Sequence, residues 1–166
     1  MAYSIIMAVV AGILLTLSVI LSFLSNRFSS LVAFCALCAT GLTFMLDISM
    51  WTYIFWGIAA IIVTTLNFML PPHISSSRLG LGYIATAALA GTLVGLVVSH
   101  AGMVLGAVVG AILGGVAYSK TPQGKLLEFP SSKFLNYLCA KGLPVIITMC
   151  ISGTVISILV LAFTVK

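Results

Sequence analysis

The reactive side chains of this sequence are few, and each chemistry they could serve needs its parts at a particular spacing. Nucleophilic catalysis needs a hydroxyl or thiol with a base in reach and donors for a developing oxyanion. Ser99-His100 and Ser152-Gly153 are the fragments to consider. Adjacent residues on a helix point about 100° apart, so Ser99 and His100 do not face each other. Ser152 follows Cys150-Ile151 and lacks the preceding glycine of a G-x-S-x-G elbow. Cys35-x-x-Cys38 has redox spacing but no soluble βαβ pattern around it. Those two thiols and Cys150 lie in apolar runs, where a thiol packs as a small hydrophobe, and only Cys139 has polar neighbours. No metal site is expected, because His73 and His100 fall on opposite faces of the membrane in the topology derived below. Ion-coupled transport normally leaves ionisable groups inside the membrane, yet Asp47 stands at a block boundary and no other acid lies in an apolar block. What remains is Asn67 with Thr64 and Thr65, the most polar cluster within such a block. Its expected work is hydrogen bonding between helices, or to backbone freed by Pro71-Pro72, with contact to a polar substrate as the alternative. No catalytic residue is expected.

The elements that carry these residues follow from composition. Of 166 residues, 62% are hydrophobic and 5% charged, and the mean hydropathy is +1.33. A soluble domain carries about a quarter charged residues, so the fold class is all-α, a polytopic integral membrane protein. Crossing a bilayer takes about 20 apolar residues, and the apolar blocks are 2–24, 28–46, 48–70, 79–99, 102–118 and 142–165. The chain therefore reads as a single membrane domain over 1–166 with about six transmembrane helices. Three N-terminal helices fill 1–72, a helical hairpin 79–118, a cytoplasmic connection 119–142, and a last helix 143–166. Pro71-Pro72 ends the third block, since neither proline offers a donor to a continuing helix. Within the connection, Ser131 is placed to cap a short interfacial helix containing Phe134, Leu135 and Leu138.

Charge sets the orientation. Connections after the first, third and fifth blocks share one side of the membrane whether the hairpin crosses it or dips in and returns. They carry Arg27, Arg78, Lys120, Lys125, Lys133 and Lys141, whereas the other side has Asp47, His100 and the terminal Lys166. The positive-inside rule then places both termini outside the cytoplasm. Basic residues spread between apolar blocks are topology signals, so no nucleic-acid partner is expected. No Lys or Arg precedes the first block, which reads as a retained helix and not a cleaved signal.

The strongest pattern lies in the fifth block, where Gly102, Gly106, Gly110 and Gly114 recur every four residues. That spacing lines them along one ridge of a helix. A second small row, Ala107, Ala111 and Gly115, runs beside it, and the fourth block repeats the device with Ala87, Gly91, Gly95 and Ser99. In lipid no hydrophobic drive brings helices together, and small residues allow the close van der Waals and Cα–H contacts that do. The expectation is close packing through Ala87, Gly91, Gly95, Gly102, Gly106, Gly110 and Gly114, within one chain or between chains. A pore lining is less expected, because ion pathways add polar groups and this hairpin has few.

The runs Asn67-Phe68-Met69-Leu70-Pro71-Pro72, Ser77-Arg78-Leu79-Gly80, Gly91-Thr92-Leu93-Val94-Gly95 and 102–114 together resemble the bacterial domain of unknown function 456 family. The likeness extends over nearly the whole chain, and its specific part is 67–115. It implies a small bacterial inner-membrane protein with a proline-marked junction, a glycine-rich hairpin, a polar connection and a final helix, and it implies no established reaction. Family members often carry acids near the position of Asn67 and at the end of the fifth helix, where this chain has Asn67 and Gly115-Val116. The expected function is that of a non-enzymatic membrane protein acting through glycine-mediated helix packing, as a homo-oligomer or as an accessory to another membrane subunit. The alternative is a small transporter or channel for an uncharged or lipid-like solute. The lipid bilayer is the expected surrounding, and no cofactor is called for.

Overall fold

The computed structural model describes residues 2–24, 28–44, 48–69, 80–124 and 130–164. Among these the fold is all-α, with six helices and no strand. They are α1 (Ala2–Phe23), α2 (Ser29–Phe44), α3 (Met50–Met69), α4 (Leu81–Val98), α5 (His100–Ser119) and α6 (Ser132–Thr164). Apolar sequence takes this form because a helix satisfies every interior backbone group within itself. Four helices, α3 to α6, are long and apolar enough to cross a membrane, while the apolar stretches Ala8–Phe23 and Ser29–Leu42 in the first two are shorter. Arg27, Asp47, Pro71-Pro72, His73, Arg78, Lys125, Glu128 and Lys166 lie outside the described residues.

Alanines fill much of the inside, and many large apolar side chains stand outside. Ala33, Ala36, Ala60, Ala85, Ala88, Ala107 and Ala111 are buried, whereas Ile61, Val94, Leu105, Val109 and Leu113 are exposed. Water would drive the opposite arrangement. Lipid surroundings account for it, because large apolar groups lose nothing by facing acyl chains and small ones let helix backbones approach. Larger residues share the interior with them, among them Phe134, Leu37, Ile84, Met103, Met149 and Ile151.

Sequence reading separates an interfacial helix near 131–141 from a last helix starting at 143. The structure instead joins them in α6, 33 residues long. Ser131 does cap it, its Oγ accepting from the Phe134 amide at 3.1 Å. At about 1.5 Å per residue α6 is about 50 Å long, well beyond a hydrocarbon core of about 30 Å. Its first turns have a protein neighbour. The Phe134 ring lies 3.1 Å from where a Gly115 Cβ would stand, and Tyr137 stacks on Tyr118 with centroids 5.9 Å apart. This end of α6 is thus docked on α5, and the second small row of α5 is what receives it. Gly80, ahead of α4, has φ +74°, and a Cβ there would run into the Tyr118 ring and the Tyr137 hydroxyl. Only glycine meets both demands at low cost.

Candidate functional site

Three features of the bundle bring together residues that sequence reading singles out. The first is the hairpin. A single extended residue, Ser99, separates α4 from α5; its amide donates to the Gly95 carbonyl at 3.0 Å and its Oγ accepts from the Gly102 amide at 2.9 Å. So tight a turn leaves the two helices antiparallel and side by side. A Cβ on Gly91 would run into the Gly106 carbonyl, and one on Gly106 into the Gly91 carbonyl. Gly95 and Gly102 face each other in the same way, Gly110 faces the Ala87 carbonyl, and Gly114 faces the Tyr83 carbonyl. The two small-residue rows are therefore set against each other within one chain, backbone to backbone.

The second feature is a ring of three buried inter-helix hydrogen bonds around Pro144, which lies inside α6. A helix proline cannot donate to the carbonyl four residues before it, and its ring pushes that carbonyl aside. Here that carbonyl belongs to Ala140. Asn67 of α3 supplies the missing donor, its Nδ2 lying 3.1 Å from the Ala140 oxygen across 73 residues of sequence. One turn back along α3, the Thr64 hydroxyl donates to the Ala60 carbonyl at 2.7 Å and stands 3.1 Å from Ser30 Oγ. Because the single Thr64 proton is spent on Ala60, Ser30 is the donor of that pair. Beside it Ser29 Oγ accepts from Thr148 Oγ1 at 3.3 Å, back on α6 and one turn beyond the proline. Ser29, Ser30, Thr64, Asn67 and Thr148 are all buried. Three separate bonds, joined to one another only through the backbone at Ser29-Ser30 and over one turn of α3, thus tie α6 after Pro144 to α2, α2 to α3, and α3 to α6 before Pro144. Sequence reading gives Asn67 hydrogen bonds between helices or to backbone freed by Pro71-Pro72; the structure shows a bond between helices, from α3 to α6, and its acceptor is backbone freed by a different proline, Pro144. Thr65, grouped with them in sequence, turns outward and bonds to its own helix at Ile61.

The third feature has no counterpart in the sequence reading. A cleft of about 640 Å³ lies between α3 and α5, floored by α6. Trp51, Phe55 and His100 stand exposed at its rim, and Trp56, Met103 and Thr154 are buried in its depth. The Thr154 hydroxyl is turned to its own helix, donating to the Cys150 carbonyl at 2.9 Å, so the depth offers an apolar lining. A size of this order falls within the range of roughly 300–1,000 Å³ typical of small-molecule sites. The crowding of Trp51 and Trp56 at the start of α3 is the one sequence signal that points to this place.

Catalytic and metal chemistry have little to work with among the described residues. No group of three His, Cys, Asp or Glu side chains is placed to hold a metal ion. The four thiols are free, with Cys35 and Cys139 exposed and Cys150 buried. Ser99 is engaged in the hairpin turn. Comparison with protein-family models, with curated proteins and with solved structures finds no match to this chain. Fold and site define an all-α chain with four membrane-length helices, a backbone-to-backbone hairpin and an apolar cleft beside it.

Proposed function

We propose that this chain is a non-enzymatic multi-pass membrane protein of six spans that takes up an apolar, lipid-like molecule in the cleft between α3 and α5. The observation that carries the reading is the cleft itself, about 640 Å³ with tryptophan and histidine at the rim and an apolar floor. Such a gradient suits an amphiphile whose polar end rests at headgroup level, where tryptophan is favoured. Glycine-mediated packing serves this reading as scaffold, making α4 and α5 one stiff wall. Association with a second copy or with another membrane subunit is the reading of the glycine rows that the geometry favours less. Those rows already face each other within the chain, so such a contact has to use other faces.

The test uses the two tryptophans of the sequence, both of which line the cleft. In Trp51→Phe protein reconstituted in nanodiscs, the emission of buried Trp56 is expected to be quenched saturably by a brominated fatty acid. Ala101→Phe, which puts a ring into the cleft from its exposed wall, is expected to abolish the saturable part. Quenching that rises linearly and equally in both proteins would mean that the acid acts from bulk lipid and that the cleft holds nothing.

The proposed setting is a bacterial inner membrane with both termini outside the cytoplasm, in keeping with the resemblance to the domain of unknown function 456 family. Support comes from the six-to-one division of basic residues between the two sides of the chain. In protein freed of native cysteines, a thiol at Ser119→Cys is expected to react with an impermeant maleimide only from the cytoplasmic side, and one at Ser49→Cys only from outside. Reaction of both from one side would refute the orientation.

A further inference from the structure

We infer that Pro144 is a hinge in α6 and that the ring of hydrogen bonds through Thr148, Ser29, Ser30, Thr64 and Asn67 is the lock that holds its angle, and with it the width of the cleft. The inference rests on reading the cleft as the binding site and assigns that site a means of control. Three observations carry it. Pro144 removes the internal bond to the Ala140 carbonyl, and missing bonds of this kind are where helices bend. Gly142, two residues earlier, adds backbone freedom at the same turn. The ring of bonds then straddles this weak point, meeting α6 at Thr148 on one side and at Ala140 on the other, 3.3 and 3.1 Å from its partners.

The placement of the neighbours links the hinge to the cleft. Before the proline, α6 is docked on the hairpin through Phe134 and Tyr137. After it, α6 is tied to α2 at Ser29, touches Met103 and Thr92 of the hairpin at Gly153, and floors the cleft with Thr154 and Ile158. A change of angle at Pro144 therefore tilts the hairpin about its contact with Gly153 and shifts it relative to α3, which is the other wall. Asn67 opposes that movement because it belongs to α3 yet grips α6 on the hairpin side of the bend. Loss of its bond frees the hinge without touching a cleft residue. Restoring a backbone donor at position 144 removes the need for the lock, since an unbroken helix has no weak point to hold.

Distance measurement reads this directly. Spin labels at Met50→Cys and Val98→Cys, both on exposed positions flanking the cleft, are placed in protein freed of native cysteines and reconstituted in nanodiscs. The parent is expected to give one narrow distance distribution. Asn67→Leu is expected to shift it to longer distances and broaden it, and Asn67→Leu/Pro144→Ala is expected to return it to the parent's width. Should Asn67→Leu fail to accumulate, the milder Thr148→Val, which cuts the ring on the other side of the proline, is expected to give the same broadening. An unchanged distribution in folded Asn67→Leu or Thr148→Val overturns the lock, as does broadening that Pro144→Ala leaves in place. None of these readings uses a ligand. Failure of fatty-acid binding with the broadening intact would strike the proposed function alone.

Discussion

Gly110→Leu is expected to destabilise the protein far more than Val109→Leu, although the two positions are adjacent in one apolar helix. A Cβ on Gly110 would run into the Ala87 carbonyl and stand 3.0 Å from Ala88 Cα, and leucine adds three more carbons beyond it. Val109 is 53% exposed and meets lipid with its extra methylene. The obstruction at Gly110 is backbone, so no neighbouring rotamer can give way and α4 itself must move. Overpacking typically costs about 1–3 kcal/mol, and a displaced backbone puts this case at or above the upper end. Val109→Leu should stay within about 0.5 kcal/mol, as exposed substitutions do. Thermal unfolding in detergent reads the difference. Ala87→Gly is expected not to rescue Gly110→Leu, because the offending atom is the carbonyl and not the methyl. Both variants should keep the oligomeric size of the parent, since the contact lies within one chain. Equal melting of Gly110→Leu and Val109→Leu, or a change of mass for the first alone, would contradict the packing.

How much of this was legible in the residue string can be traced position by position. The hairpin was, because contact between backbones leaves a mark that only glycine and alanine can make, repeated every four residues from Gly102 to Gly114. Whether the rows meet within one chain was not. That depends on the single residue, Ser99, that turns α4 into α5, and a turn so short is not distinguishable in sequence from a slightly longer one. The start of a helix at Ser131 was legible by its cap, though its interfacial placement and short length were not what the fold has. Its continuation through Gly142 and Pro144 was not legible, because propensity reads a proline as an end while tertiary partners can supply the donor that it lacks. Lys141 illustrates the same limit. Sequence reading counts it among six basic residues that share one side of the chain, and in the fold it is only 2% exposed, beside the proline turn. The cleft left the least trace. It exists because α3 and α5 lie on different parts of α6 and do not close on each other, and the divergence of two helices is a property of their packing that no spacing of residues records.

Asn67→Leu is expected to cost about 1–3 kcal/mol in the natural background, the usual penalty for leaving a buried carbonyl without a donor. The side chain is 4% exposed, and leucine keeps its number and branching of heavy atoms though with greater bulk, so the loss includes the hydrogen bond to Ala140 with no added cavity. The same substitution in a Pro144→Ala background is expected to cost much less. Alanine at 144 returns an amide that bonds to the Ala140 carbonyl within α6, and that oxygen then has a donor whether or not Asn67 is present. The Pro144→Ala change alone removes a residue that costs about 3 kcal/mol in an ordinary helix interior. It gains less than that here, because Asn67 already meets part of the deficit. A double-mutant cycle on melting in detergent isolates the coupling, expected in the range of about 0.5–3 kcal/mol for groups sharing one bond. Its sign is the decisive quantity. Asparagine must be worth more when position 144 is proline than when it is alanine, because one carbonyl accepts from the side chain in the first case and from the backbone in the second. Equal losses in the two backgrounds would show that Asn67 is held for some reason other than the gap that Pro144 opens. The ring of bonds around α6 would then not act as a single brace.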